Sequence, residues 1–287
     1  MSKDIFEGFT CVDMHGIWIN QSDPNQALKE VSYLVEHDSR QYVCFFEANL
    51  FNRTLGDKKI RDIINHAALV YPDGIAIKVC AQLRSGMKLT RVSGPTFMLK
   101  ACEYGISKKW RHFFLGGAPG IAERLAENLK IRYPDIKIAG CFCPPFREWT
   151  PEEETEIKTR IEESHTDLLW VGLGGPKQEI WMNKNCEKID VPIMLGVGAA
   201  FDFLTGNRPW APMFIRVIGM EWLWRLLFGG RRIMWRNIKC VSKVSMVLLW
   251  DIIRAPFVGC RRSKAVCYLP GEGDRCRWET ETNAIRH

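Results

Sequence analysis

Asp73 sits between Pro72 and Gly74 at the end of a predicted strand, where a carboxylate is held in one place and can take a proton as a general base. The same tripeptide suits an ordinary type I or II turn, so local pattern leaves both readings open. Three glycine-rich loops also follow predicted strands, the place where open α/β sheets bind ligands. Gly116-Gly117-Ala118-Pro119-Gly120 leads into a helix, and exposed backbone N–H groups at a positive helix end suit a phosphate. A tight turn that merely needs glycine explains it equally well. Gly172-Leu173-Gly174-Gly175-Pro176 places Lys177, Gln178 and Glu179 in a first helical turn. Gln178 has the groups to grip a sugar hydroxyl or a uracil edge, while Glu179 also fits as a simple helix-end acid. In Gly196-Val197-Gly198-Ala199, small residues permit either close approach of a ligand or tight packing.

Some chemistries are disfavoured. A nicotinamide dinucleotide site wants G-x-G-x-x-G and an acid ending the next strand, but that strand ends Gly140-Cys141. The phosphate-loop lysine pattern is absent, as is any Asp-x-Asp for a divalent cation. The 11 cysteines are scattered and odd in number, which predicts reduced thiols, mostly buried. Neither Cys141/Cys143 nor Cys260, Cys267 and Cys276 matches a zinc spacing, and no metal site is expected.

The net charge of +7 is unevenly placed. Between Asp202 and Asp251 the sole acid is Glu221, among Arg208, Arg216, Arg225, Arg231, Arg232, Arg236, Lys239 and Lys243. Such a stretch calls for a polyanionic partner. Trp210, Trp222, Trp224, Trp235 and Trp250 accompany it, a mixture that suits an anionic membrane surface or an amphipathic helix pair packed on a core. No segment has the ~18–20 apolar residues of a spanning helix. The acidic start, Asp4 to Glu7, is unlike a signal peptide, which predicts a cytoplasmic protein.

The elements that must position these residues alternate. Strands are predicted at Gly16–Asn20, Tyr42–Phe46, up to Tyr71, Trp110–Leu115, Ile136–Cys141, Asp167–Val171 and Ile193–Val197. Helices are predicted from Asp23-Pro24 to about Glu36, then at Lys58–His66, Ile75–Arg84, Thr96–Tyr104, Pro119–Arg132, Pro151–Ser164 and Lys177–Lys188. Glu47-Ala48-Asn49 is read as a polar loop. This alternation predicts an α/β fold, a Rossmann-like, largely parallel sheet with helices on both faces, over residues 1–206. A helical C-terminal appendage is expected over 207–260, in helices near Pro212–Phe228 and Arg231–Trp250, with a disordered tail over 261–287.

Taken together and in order, Asn49, Pro72-Asp73-Gly74, Arg91 to Pro95, Gly116-Gly117, Gly172-Leu173-Gly174, Pro176-Lys177-Gln178-Glu179, Gly196 to Ala199, Ala211-Pro212 and Gly219 to Arg225 resemble the WecG/TagA/CpsF glycosyltransferases of bacterial surface-polymer synthesis. The resemblance covers about Val12 to Arg236. It implies an inverting transferase that moves a hexose (N-acetylmannosamine, its uronate or glucose) from a UDP-sugar to a saccharide on polyprenyl diphosphate. It carries the base onto Asp73 and donor contacts onto Asn49, Arg91, Gly116, Gly117, Gln178, Glu179 and Gly198. Diphosphate contacts fall on Arg216, Arg225 and Arg232. Glu47 stands where many members have threonine, which makes it a second acid/base candidate. The expected setting is the inner face of the cytoplasmic membrane, peripherally bound and without a metal cofactor; a homo-oligomer is left open. The competing readings are another nucleotide-dependent α/β enzyme and, using the Arg/Trp stretch, a nucleic-acid-binding module.

Overall fold

A computed structural model describes residues 9–217, 219–221, 223–224, 242–253, 264–268 and 277–281. In chain order the elements are β1 (Phe9–Met14), β2 (Ile17–Asn20), α1 (Pro24–Glu36), β3 (Gln41–Phe46), α2 (Ala48–Thr54), α3 (Lys58–Asn65), β4 (Leu69–Pro72), α4 (Ile75–Ser85) and α5 (Gly94–Lys108). There follow β5 (Arg111–Gly116), α6 (Ile121–Arg132), β6 (Lys137–Phe142), α7 (Pro151–Glu163), β7 (Leu168–Gly172), α8 (Lys177–Asn185), β8 (Ile193–Gly196), α9 (Ala200–Leu204), α10 (Met213–Val217), β9 (Lys264–Tyr268) and β10 (Arg277–Glu281). Residues 242–253 form a further helix.

The core is a six-stranded sheet in the order β4-β3-β8-β7-β5-β6, parallel throughout. Its strands are almost wholly apolar, as strands covered on both faces must be. Phe45, Phe114, Trp170 and Leu195 face a layer with residues of α1, α5, α6 and α9, whereas Phe46, Phe113, Val171 and Met194 face α2, α3, α4, α7 and α8. The expected parallel α/β sheet with helices on both faces is what forms.

Local chemistry explains most boundaries. Asp23 accepts from the N–H groups of Asn25 and Gln26 with Pro24 at the first helical position, and α1 starts there as expected. Thr150 and Glu153 make a reciprocal capping box that opens α7. Glu30 of α1 is buried, accepting from Ser22 Oγ and, at 2.6 Å, from the Tyr71 hydroxyl. That contact fixes β4 against α1 two residues before Asp73. Asn20 of β2 accepts from the Val70 N–H, covering the free edge of β4.

Two expectations need correction. Glu47-Ala48-Asn49 is not an open loop. Ala48 begins α2, because Leu50 and Phe51 supply a buried face immediately after the strand. Asn49 is therefore helical, in the first turn. In the tail read as disordered, β9 pairs antiparallel with β1 and β10 with β9, giving a second sheet in the order β10-β9-β1-β2. The physical opening is β1, whose second edge offers unpaired backbone groups once β2 takes the first. In the appendage, α10 spans Met213–Val217 within the longer helix expected from Pro212; Arg225, Arg232 and most of the second expected helix lie outside the described residues.

Candidate active site

The sheet's carboxyl edge gathers the residues singled out above. Asp73 follows β4, Glu47 and Asn49 follow β3, Gly198 follows β8, Gln178 and Glu179 follow β7, and Gly116 and Gly117 end β5. Because all six strands run the same way, sites far apart in sequence meet on one rim.

At one end of that rim lies a charged cluster. The Asp73 N–H donates to Phe46 O at 2.9 Å, tying the residue to the neighbouring strand. Its carboxylate Oδ2 accepts from the Gly94 N–H at 3.1 Å, at the N-terminus of α5, where the helix dipole favours negative charge. Oδ1 has a longer contact, 3.4 Å, with Arg91 Nη2. Asp73 keeps 20% of its side-chain surface exposed. A carboxylate fixed on one oxygen and reachable on the other has the geometry of a base.

Arg91 is the hub. Its Nη2 also donates to Glu221 Oε2 at 2.6 Å, and its Nη1 donates to the Arg216 carbonyl at 3.2 Å. Burial opposes the guanidinium charge, but the Asp73 and Glu221 carboxylates outweigh it and raise Arg91 above its ordinary value. Glu221 and Arg216 both belong to the segment after the core, so this arginine joins the appendage to the candidate base. Sequence reasoning placed Arg91 on a donor and did not find Glu221 as its partner. The signal was there: Glu221 is the lone acid in a basic stretch. Arg216 itself lies with its guanidinium 3.8 Å from the Trp210 ring centre, a cation–π stack, and its Nε is buried without a hydrogen-bond partner.

The middle of the rim, at β8 and β7, is bound to itself. Gln178 Oε1 accepts from the N–H groups of both Gly174 (3.1 Å) and Gly198 (3.0 Å), and its Nε2 donates to Glu179 Oε1 at 2.8 Å. Gln178 is only 4% exposed. Its amide thus staples the β7–α8 turn to the β8–α9 turn. The glycines of β5 have packing reasons of their own. A Cβ on Gly116 would stand 2.6 Å from Gly172 backbone atoms, and one on Gly117 2.9 Å from the Ile121 side chain. The Gly117 N–H is engaged by Gly172 O at 3.2 Å, so it is not an open phosphate donor.

Where these two parts of the rim meet stand Glu47, after β3, and Glu179, after β7. Glu47 occupies the cap position of α2 without capping it, and its Oε2 accepts from Asn49 Nδ2 at 3.1 Å. Glu179 is 1% exposed, and its Oε2 has no partner. Burial pushes its carboxyl up to about 7, and the charge of Glu47 adds to that rise. Among the described residues no three His, Cys, Asp or Glu side chains form a group able to hold a metal ion.

The 242–253 helix packs against the turn between β1 and β2 and against α4. Asp251, buried, meets His15 Nε2 at 2.9 Å and Arg84 Nη1 at 3.2 Å, and Val244 is buried with it. Asp251 thus faces the core. Met246, Leu249, Trp250 and Ile253 fall on the other side and are exposed. No described helix is long and apolar enough to cross a membrane.

Residues 12–256 match the Glycosyl transferase WecG/TagA/CpsF family. Three similar proteins are each named N-acetylglucosaminyldiphosphoundecaprenol N-acetyl-beta-D-mannosaminyltransferase. The one from Bacillus spizizenii is 28% identical over 187 residues, 65% of this chain and 70% of that protein. That from Bacillus subtilis is 24% identical over 193 residues, 67% and 73% respectively. That from Staphylococcus aureus strain MRSA252 is 25% identical over 224 residues, 77% and 86% respectively.

Proposed function

The chain belongs to the WecG/TagA/CpsF family of glycosyl transferases, and from that premise we propose that it moves a hexose from a UDP-sugar to a saccharide on polyprenyl diphosphate, with inversion. The observation that carries the mechanism is Asp73, anchored by Gly94 and steered by Arg91 at the end of β4. Asp73 removes the proton from the acceptor hydroxyl. The oxygen attacks the anomeric carbon from the face opposite the nucleotide, the bond to the diphosphate breaks, and its electron pair leaves with UDP. The similar bacterial proteins named above act, by their names, on N-acetylglucosaminyl-diphosphoundecaprenol, which supports the lipid-linked acceptor.

The leaving diphosphate needs positive charge. Arg91 is held between two carboxylates, so in this reading it orients Asp73. The diphosphates then fall to Arg216, Arg225 and Arg232, whose planar forks match phosphate oxygens. With arginines in that role the transfer proceeds without a metal. Asn49, beside Glu47, remains a donor-sugar contact. The exposed face of Met246, Leu249, Trp250 and Ile253, with Met213 and Phe214 also exposed, supports peripheral binding at the inner face of the cytoplasmic membrane.

A donor screen tests the reading. Several UDP-hexoses are incubated with polyprenyl-diphosphate-linked N-acetylglucosamine, with and without EDTA, and the lipid product is weighed by mass spectrometry. One added hexose, formed in EDTA as well, is expected. Transfer abolished by EDTA and restored by manganese contradicts the metal-free route, and no transfer from any UDP-sugar contradicts the reaction.

A further inference from the structure

Glu47 is the acid that neither the base nor the appendage uses. The register of β3 against β4 pairs Phe46 with Pro72, so Glu47 and Asp73 leave adjacent strands side by side. Neighbouring strands lie about 4.8 Å apart, which puts Glu47 beside any sugar whose acceptor reaches Asp73. Ordinarily a residue at a helix cap turns its oxygen onto the first backbone N–H groups. Glu47 does not; its hydrogen bond is to Asn49 Nδ2, which leaves acceptor capacity on the carboxylate.

Among the described residues no Lys, Arg or His forms an ion pair with Glu47. The charge of Glu47 helps to raise the Glu179 carboxyl, and Glu179 Oε2 is buried with no partner. Arg91, the cation of this cluster, is already shared by Asp73 and Glu221. The gap between the ends of β3 and β4 therefore offers hydrogen-bond acceptors and negative charge. A group that settles against it brings an O–H or an amide N–H; a further carboxylate meets the like charge of Glu47, which no cation among the described residues pairs.

Building on the glycosyl-transfer reading, we propose that Glu47 sets donor specificity, accepting a hydrogen bond from a neutral hexose and excluding hexuronates. The distinction rests on one substituent, a hydroxymethyl against a carboxylate at C6.

The test uses donor pairs that differ there alone, UDP-N-acetylmannosamine with its uronate and UDP-glucose with UDP-glucuronate. kcat/KM is measured on the full-length protein with polyprenyl-diphosphate-linked N-acetylglucosamine as acceptor. The wild type is expected to favour the neutral member of each pair it uses by at least about tenfold, and Glu47→Gln to shrink that ratio about tenfold through better use of the uronate. Raising salt is expected to narrow the wild-type ratio, since the exclusion is electrostatic, and this arm does not depend on the variant folding. A wild type that uses the uronate as well as the neutral sugar, an unchanged ratio in a folded Glu47→Gln protein, or a ratio indifferent to salt overturns the proposal. If no UDP-sugar of either kind is transferred, the glycosyl-transfer reading falls first and this inference with it.

Discussion

Two parts of the sheet's carboxyl rim, its β4 end and its middle, are built from similar sequence signals and use their polar groups in opposite ways. At β3 and β4, Asp73, Arg91 and Glu47 keep charged groups partly exposed and link the core to the appendage through Glu221 and Arg216. At β5, β7 and β8, Gln178 and the glycines satisfy one another and leave few free hydrogen-bonding groups. The first carries the base proposed above; the second ties its own loops together. A motif residue on a strand-end loop is thus an incomplete clue, because its role depends on whether its polar atoms are already partnered.

That contrast can be broken by substitutions chosen from each part. Asp73→Asn keeps the shape but cannot take the proton, so kcat should drop by about 10²–10⁴ while the thermal midpoint stays close to that of the wild type. Near-normal turnover would remove Asp73 from the chemistry. Gln178→Ala should show the reverse emphasis. It strands the Gly174 and Gly198 N–H groups and one Glu179 oxygen, costing on the order of 4 kcal/mol of stability in denaturant titrations. A loss of activity with unchanged stability would instead make Gln178 a ligand contact.

Glu179 sharpens the comparison through pH. Its carboxyl is raised in the folded protein from an ordinary 4.5 to about 7, so the folded state binds more protons than the unfolded one between those values. Stability from this group is therefore highest below pH 4.5, declines as pH rises to about 7, and is level above. Glu179→Gln retains the acceptor for Gln178 Nε2 and should be more stable than wild type at pH 8 by about 3 kcal/mol. Equal stability at pH 5 and pH 8 in both proteins would show that Glu179 is not the raised acid. The smallest effect expected is that of Arg91→Lys. A single ammonium cannot reproduce the fork that meets Asp73, Glu221 and a carbonyl at once, and about a tenfold fall in kcat/KM should result. An unchanged value would mean that Asp73 needs no steering.

Much of the scaffold was legible in the sequence because its causes are local. Asp23-Pro24 marks the start of α1, and short apolar runs such as Tyr42 to Phe46 mark buried strands. The parallel arrangement followed from helices between those runs. Where causes are distant, legibility failed. The hold of Arg91 on Glu221 spans 130 residues, and the pairing of β9 with β1 spans most of the chain. α2 was missed because Glu47 gives it no side-chain cap. For Gln178 the bonds to Gly174, Gly198 and Glu179 were not legible, since an amide has donors and acceptors enough to serve either a sugar or its own backbone.

The claim that ties these observations together is a single displacement driven by Asp73. Its most direct test is the anomeric configuration of the transferred sugar, read from the one-bond C1–H1 coupling of the product made from an α-linked UDP-hexose. A base acting on the acceptor hydroxyl requires attack from the side opposite UDP, so the product should be the β-glycoside. An α-glycoside would contradict that mechanism and with it the role given to Asp73.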